Sequence, residues 1–134
     1  MVESYRGAAN LNDPEALFTL AKILIEEGKA RAERQKDGPL ASEANERLKN
    51  ICFNDGHHYL RAADEFGHIL AKRFRGLCTI NGWGVEPNQD VGFDMIVTSI
   101  DLEKSWDKVP QIFASMGLNK PEFFAALSKH RTRQ

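Results

Sequence analysis

Residues 59–85 read YLRAADEFGHILAKRFRGLCTINGWGV, and this segment carries the clearest structural pattern in the chain. It contains two adjacent alanines, a glycine followed by a histidine, a glycine inside an apolar run, and a tryptophan between two glycines. Adjacent alanines let a neighbouring helix approach closely, and paired glycines permit the positive φ angles of a tight connection. The segment therefore predicts closely packed helices joined by short turns.

An earlier segment partly repeats this pattern. Ala8 and Ala9 are followed by Asp13-Pro14-Glu15-Ala16 and then by Gly28. Asp13 and Pro14 form a strong helix start, because aspartate can cap free amides and proline is tolerated at the first helical position. A pattern of paired alanines, turn, helix and glycine that occurs twice indicates a helical repeat.

Apolar spacing predicts helices along the rest of the chain as well. We expect the first helix to end at Gly28, a second helix to cover residues 40–53, and a turn at residues 54–56. Three side chains of the second helix are expected to face inward: Leu48, Ile51 and Cys52. The clearest later stripe, at spacing i, i+3, i+4 and i+7, consists of Phe93, Ile96, Val97 and Ile100. No stretch alternates with period two over a convincing length, so the chain is predicted to be all-α, with about seven helices.

Residues 59–100 resemble the Sel1-like repeat family, a relative of the tetratricopeptide repeats. The matching positions follow the family order: Tyr59, Ala62, Ala63, Gly67, His68, Ala71, Gly76, Gly82, Gly84, Val85 and Asp90. Residues 8–55 resemble a degenerate copy with an insertion of about 20 residues, relative to the 34-residue tetratricopeptide unit. The resemblance implies one domain over residues 1–134, a short right-handed α/α superhelix of Sel1/TPR-like helix pairs, with residues 102–130 as a C-terminal capping helix pair.

The same resemblance implies a function in binding. Family members are mostly adaptors that hold a protein or peptide on a helical surface, and many bacterial ones act in host contact or near secreted toxin systems. We therefore expect a protein- or peptide-binding adaptor without catalysis. A second function stays open: a cytoplasmic immunity or antitoxin protein that neutralises a cognate bacterial toxin. Its motivation is the small size, the degenerate repeats and the absence of a catalytic motif from the sequence.

Composition narrows the classes of partner. The chain has 134 residues, 42% of them hydrophobic, which suits one domain with its own core. A net charge of −1 gives no general attraction to nucleic acid or to an anionic membrane. The N-terminal residues lack a basic leader followed by an apolar stretch, so we expect a cytoplasmic protein. The oligomeric state does not follow from the sequence.

Candidate metal ligands and catalytic groups are few. His57 and His58 are adjacent and would point in different directions on a helix, while Asp64 and His68 have the i, i+4 spacing of some metal sites but are separated by Gly67. Two cysteines without a CxxC pattern argue against a zinc site or a disulfide-built scaffold. Because phosphate-loop, dinucleotide-binding and zinc-protease motifs are also missing, we expect no metal, no cofactor and no catalytic residue.

Three residues are predicted to contact the partner: Arg73, Arg75 and Trp83. Arg75 stands at a position that the family keeps apolar, which indicates that it is turned outward. Trp83 lies between two glycines, where a large ring is not needed to form the turn. Arginine and aromatic side chains are enriched among the residues that dominate binding energy at interfaces.

Overall fold

The computed structural model describes residues 13–36 and 38–133, and this part of the chain is helical with no strand. Its six α-helices are α1 (Pro14–Lys36), α2 (Glu43–Glu65), α3 (Ile69–Asn81), α4 (Gln89–Glu103), α5 (Val109–Ser115) and α6 (Pro121–Arg133). Short 3₁₀ turns lie at Gly38–Leu40 and Trp106–Lys108. The all-α prediction is confirmed. Within the described residues, none of the helices combines the length and the apolar character needed to cross a membrane.

Polar side chains mark where several helices begin. The Asp13 carboxylate accepts a hydrogen bond from the Glu15 amide, as the sequence predicts, and Ser42 caps α2 through the Asn45 amide. Asn88 caps α4 in the same way, through the Val91 amide. These bonds satisfy amides that have no partner inside the helix. The predicted alanine pair that precedes the first helix, at residues 8 and 9, lies outside the described residues.

Two predicted helix breaks are wrong, because α1 continues through Gly28 and α2 continues through residues 54–56. Both glycines instead lie where α1 and α2 cross. A Cβ atom on Gly28 would lie 2.7 Å from Cδ1 of Phe53, and one on Gly56 would lie 2.7 Å from Cγ1 of Ile25. Each glycine therefore makes room for a side chain of the facing helix. The predicted boundary between repeats falls inside α2 as a result.

The crossing of α3 and α4 is closer still. A Cβ on Gly76 would lie 2.5 Å from the Gly92 carbonyl oxygen, and a Cβ on Gly92 would lie 2.5 Å from the Gly76 carbonyl oxygen. Both residues are buried. The two backbones touch here, and the contact is reciprocal. Without a Cβ at Gly76, α3 and α4 can approach each other this closely.

The core consists of two clusters, with α3 between them. The first joins α1, α2 and α3 through residues that include Leu17, Ile25, Phe53, Leu60 and Ala71. The second joins α4, α5 and α6, and Leu77 and Ile80 of α3 pack against it. Two expected core residues of α2 are exposed, Leu48 at 43% and Ile51 at 50%. Their apolar character alone was therefore misleading.

The Gly76–Gly92 contact predicts an unusual response to alanine. In an open helix, Gly76→Ala would stabilise by about 1 kcal/mol through helix propensity. Here the added Cβ meets backbone, so we expect Gly76→Ala to lower the free energy of unfolding by about 1–3 kcal/mol, measured by urea denaturation. Gly92→Ala should cost a similar amount. The double variant should cost less than the sum, because the first Cβ already separates the helices.

Gly38→Ala is the matched control, since no described residue beyond its chain neighbours has a heavy atom within 4 Å of an added Cβ. Its free energy of unfolding should stay within about 0.5 kcal/mol of the wild type. Equal effects at positions 38 and 76 would show that the helices do not need the close contact.

Candidate binding groove

A groove opens beside Trp83, between the second half of α1 and the first half of α2. Its volume is about 670 Å³, and it is also bordered by the loop at residues 82–86, called here the Trp83 loop. Lys29 and Lys49 line it from α1 and α2, together with Phe53 of α2 and Trp83 and Glu86 of the loop. We call this space the Trp83 groove.

Glycine geometry places the Trp83 loop against α2. Gly82 and Gly84 have φ angles of 71° and 75°, the left-handed region that glycine adopts without strain. The Trp83 amide donates to the Cys78 carbonyl oxygen at 3.0 Å, which closes the end of α3. A Cβ on Gly84 would lie 2.5 Å from Cγ of Phe53, so the loop backbone rests directly on that ring. The sequence predicted that these glycines form a turn. The structure shows that Gly84 also brings the loop into contact with Phe53 of the core.

Two further contacts hold the loop. Nε2 of His57, a buried residue of α2, lies 2.6 Å from the Trp83 carbonyl oxygen. A carbonyl oxygen only accepts, so the histidine donates, and its Nε2 carries a proton. On the other side, the Lys29 ammonium lies 3.6 Å from the centre of the Trp83 ring, a cation–π contact. Trp83 is partly buried and is fixed from two helices.

Burial shifts the pKa values of His57 and Cys78, two residues that bond to the Trp83 backbone. It lowers the pKa of His57 below the usual 6.5; the positive charges of Arg61 and Arg75 lower this pKa further, and the hydrogen bond to the Trp83 carbonyl opposes the shift. Burial likewise raises the pKa of the Cys78 thiol to about 12. A thiol with that pKa stays protonated at neutral pH and is a poor nucleophile. Neither Cys78 nor the half-buried Cys52 forms a disulfide.

Of the three predicted partner-binding residues, Trp83 alone borders the groove. Arg73 lies on α3 and faces α4: its Nε donates to Ser99 Oγ at 3.0 Å, and Nη2 donates to Glu103 Oε1 at 2.8 Å. The hydrogen bond from Arg73 holds the pKa of Glu103 below its usual value, and Ser105 adds to this effect. Arg73 thus joins α3 to α4.

Arg75 joins α3 to α2. Its Nη1 lies 2.5 Å from Oδ2 of Asp64, and the ammonium of Lys72 lies 3.2 Å from the other oxygen of the same carboxylate. The Asp64 side chain is only 5% exposed, so these two cations compensate a buried charge. A contact of Arg75 with a partner stays a prediction, but its guanidinium already has an intramolecular role.

His68 has a role that the sequence did not indicate. Its Nδ1 accepts a hydrogen bond from the Ala71 amide at 3.1 Å and so caps α3. The proton then sits on Nε2, which lies 2.6 Å from Glu15 Oε2 of α1. The ring also lies 4.7 Å from that of Phe18. Across residues 13–36 and 38–133, no three His, Cys, Asp or Glu side chains gather as a metal-binding group.

The sequence interpretation missed the groove residues of α1, Lys29 and Lys36 among them, because it ended the first helix at Gly28. Once α1 continues to Lys36, four groove residues have the spacing i, i+3, i+4 and i+7 of a single helix face: Lys29, Ala32, Glu33 and Lys36. That periodicity was the available signal. It was read instead as a charged insertion.

Comparison of the chain with models of protein families, with curated proteins and with solved structures found no significant match. The Sel1-like repeat resemblance therefore stays a prediction, as does a repeat superhelix.

The buried Asp64 predicts that Arg75 contributes to stability. Arg75→Ala leaves the carboxylate with Lys72 as its cation, and we expect the free energy of unfolding to fall by about 1–3 kcal/mol. Arg34→Ala, at an exposed position of α1, is the control and should have little effect. If both arginine variants melt at the same temperature, the Asp64–Arg75 pair does not stabilise the joint between α2 and α3.

His57 predicts a loss of stability in mild acid. Its folded pKa is below 6.5, so protons bind the unfolded state more readily. Stability from this group is complete above pH 6.5 and falls as pH drops from 6.5 toward the folded pKa. His57→Gln keeps a side-chain donor but removes this titration. Denaturation between pH 8 and 5 should show a steeper loss for the wild type, and parallel curves would contradict the assignment.

Proposed function

We propose that this chain is a non-catalytic module that binds a segment of another protein in the Trp83 groove. The observation that carries the proposal is the fixed Trp83 ring beside an open groove of about 670 Å³. That volume lies within the range of ligand sites and suits a few side chains of a peptide. Tryptophan is also one of the side chains enriched among the residues that dominate binding energy at interfaces.

Pre-organisation supports a binding role for the loop. The left-handed glycines, the Gly84–Phe53 contact, the His57 bond and the Lys29 contact hold Trp83 before any partner arrives. A surface that is already ordered loses less conformational entropy on binding, so more of the contact energy appears as affinity. Neutralisation of a toxin, the alternative function expected from the sequence, stays a prediction, because the groove does not favour one kind of protein partner over the other.

Site-specific photocrosslinking tests whether the groove is the binding surface. A benzophenone amino acid is placed at Glu86 or Asn50, two exposed groove positions, and at Glu122 on α6 as the control. In cells of the source organism, the two groove positions should crosslink to the same protein, and Glu122 should not. Crosslinking from Glu122 alone would move the recognition surface elsewhere.

Trp83→Leu then measures the contribution of the ring to the captured partner. The variant keeps an apolar side chain beside the core, so its melting temperature should stay within a few degrees of the wild type. We expect affinity to fall by about 1–2 kcal/mol in calorimetry, because a central aromatic contact is lost. Trp106→Phe is the control, because Trp106 lies in a 3₁₀ turn and does not line the groove; this variant should bind like the wild type. Unchanged affinity for Trp83→Leu would refute the proposal for this groove.

A further inference from the structure

We infer that the segment held in the Trp83 groove is acidic, with a carboxylate next to an apolar side chain; this inference rests on the proposed function. The first observation is the position of two lysines. Lys29 of α1 and Lys49 of α2 line the same groove from two different helices. A carboxylate between them would meet an ammonium group from each side.

The carboxylates that pair with these lysines lie outside the groove lining. Lys29 pairs with Glu26 at 3.3 Å, and Lys49 pairs with Glu46 at 2.6 Å. The lysine side chains are 30% and 21% exposed, whereas the glutamates are 57% and 42% exposed. The cations are thus the more enclosed members of each pair, and the glutamates are turned further toward solvent.

Those pairs are weak competitors for an incoming carboxylate. Both join residues three positions apart on one helix, and exposed pairs of this kind contribute about 0.3–0.5 kcal/mol. A ligand carboxylate that meets two half-covered lysines gains more than one such contact. Among the described residues, the other charged groups of the lining are Glu86 on the loop and the pair Lys36 and Glu33, whose charged atoms lie 3.2 Å apart.

The preference of the groove for an apolar side chain next to the carboxylate follows from the aromatic rings beside the lysines. Phe53 and Trp83 both line the groove, and the Lys29 ammonium lies over the Trp83 ring. An aliphatic or aromatic side chain packed against Trp83 therefore places its neighbour in the peptide close to that ammonium. Acidic and apolar residues adjacent in sequence fit this arrangement.

Selection from a phage-displayed library of random dodecapeptides tests the inference without knowledge of the natural partner. Peptides retained by the wild type and released by Trp83→Leu should be enriched in Asp and Glu within two positions of Leu, Ile or Phe. One such synthetic peptide is then titrated against variants. Lys29→Gln/Lys49→Gln should bind it about tenfold more weakly. Lys108→Gln/Lys120→Gln, with the same change in net charge outside the groove, should bind it like the wild type.

The outcomes separate the two proposals. Selected peptides that depend on Trp83 but are neutral or basic would overturn the acidic preference and leave the proposed function standing. If the two lysine double variants weaken peptide binding equally, the effect comes from net charge in general, and the inference of an acidic preference is also overturned. Failure to select any peptide that depends on Trp83 would count against both. If selection on the variant Lys29→Glu/Lys49→Glu enriches basic peptides where the wild type enriches acidic ones, the assignment of these two lysines is supported.

Discussion

Helix crossings at glycine are the constraint on which the rest of this structure depends. α1 and α2 meet at Gly28 and Gly56, and α3 and α4 meet at Gly76 and Gly92. Glycine in the middle of a helix costs about 1 kcal/mol against alanine, so four such positions are expensive unless packing offsets them. Here the missing Cβ atoms let side chains of one helix, or the backbone itself, occupy the space.

The first crossing also positions the candidate binding groove. Phe53 lies against both Gly28 of α1 and Gly84 of the Trp83 loop. The Phe53 ring therefore connects α1 to the Trp83 loop by direct packing. His57, one turn further along α2, adds a hydrogen bond to the same loop. A loop that would otherwise depend on its own glycines is held by the packing of two helices.

Several charged residues join neighbouring helices. Asp64 of α2 binds Arg75 and Lys72 of α3, Arg73 of α3 binds residues of α4, and His68 connects α3 to Glu15 of α1. Arg73 and Arg75 were predicted to contact a partner because arginine is common at interfaces. Composition could not reveal that each has a partner in the chain, since Asp64 and Glu103 lie 11 and 30 residues away.

Local pattern was sufficient for the helical class, for the start of α1 at Pro14, and for the buried stripe of Phe93, Ile96, Val97 and Ile100. These features depend on spacing and capping within a few residues. The roles of the glycines depended on the tertiary structure: Gly82 ends a helix, whereas Gly28 sits inside one. The groove also depended on the tertiary structure, because Lys29 and Lys49, which line it together, are 20 residues apart in the sequence. A glycine that ends a helix and a glycine that makes room for a facing helix cannot be told apart in the sequence. What distinguishes them is whether an atom of another helix occupies the place of the missing Cβ, and only the tertiary structure decides that.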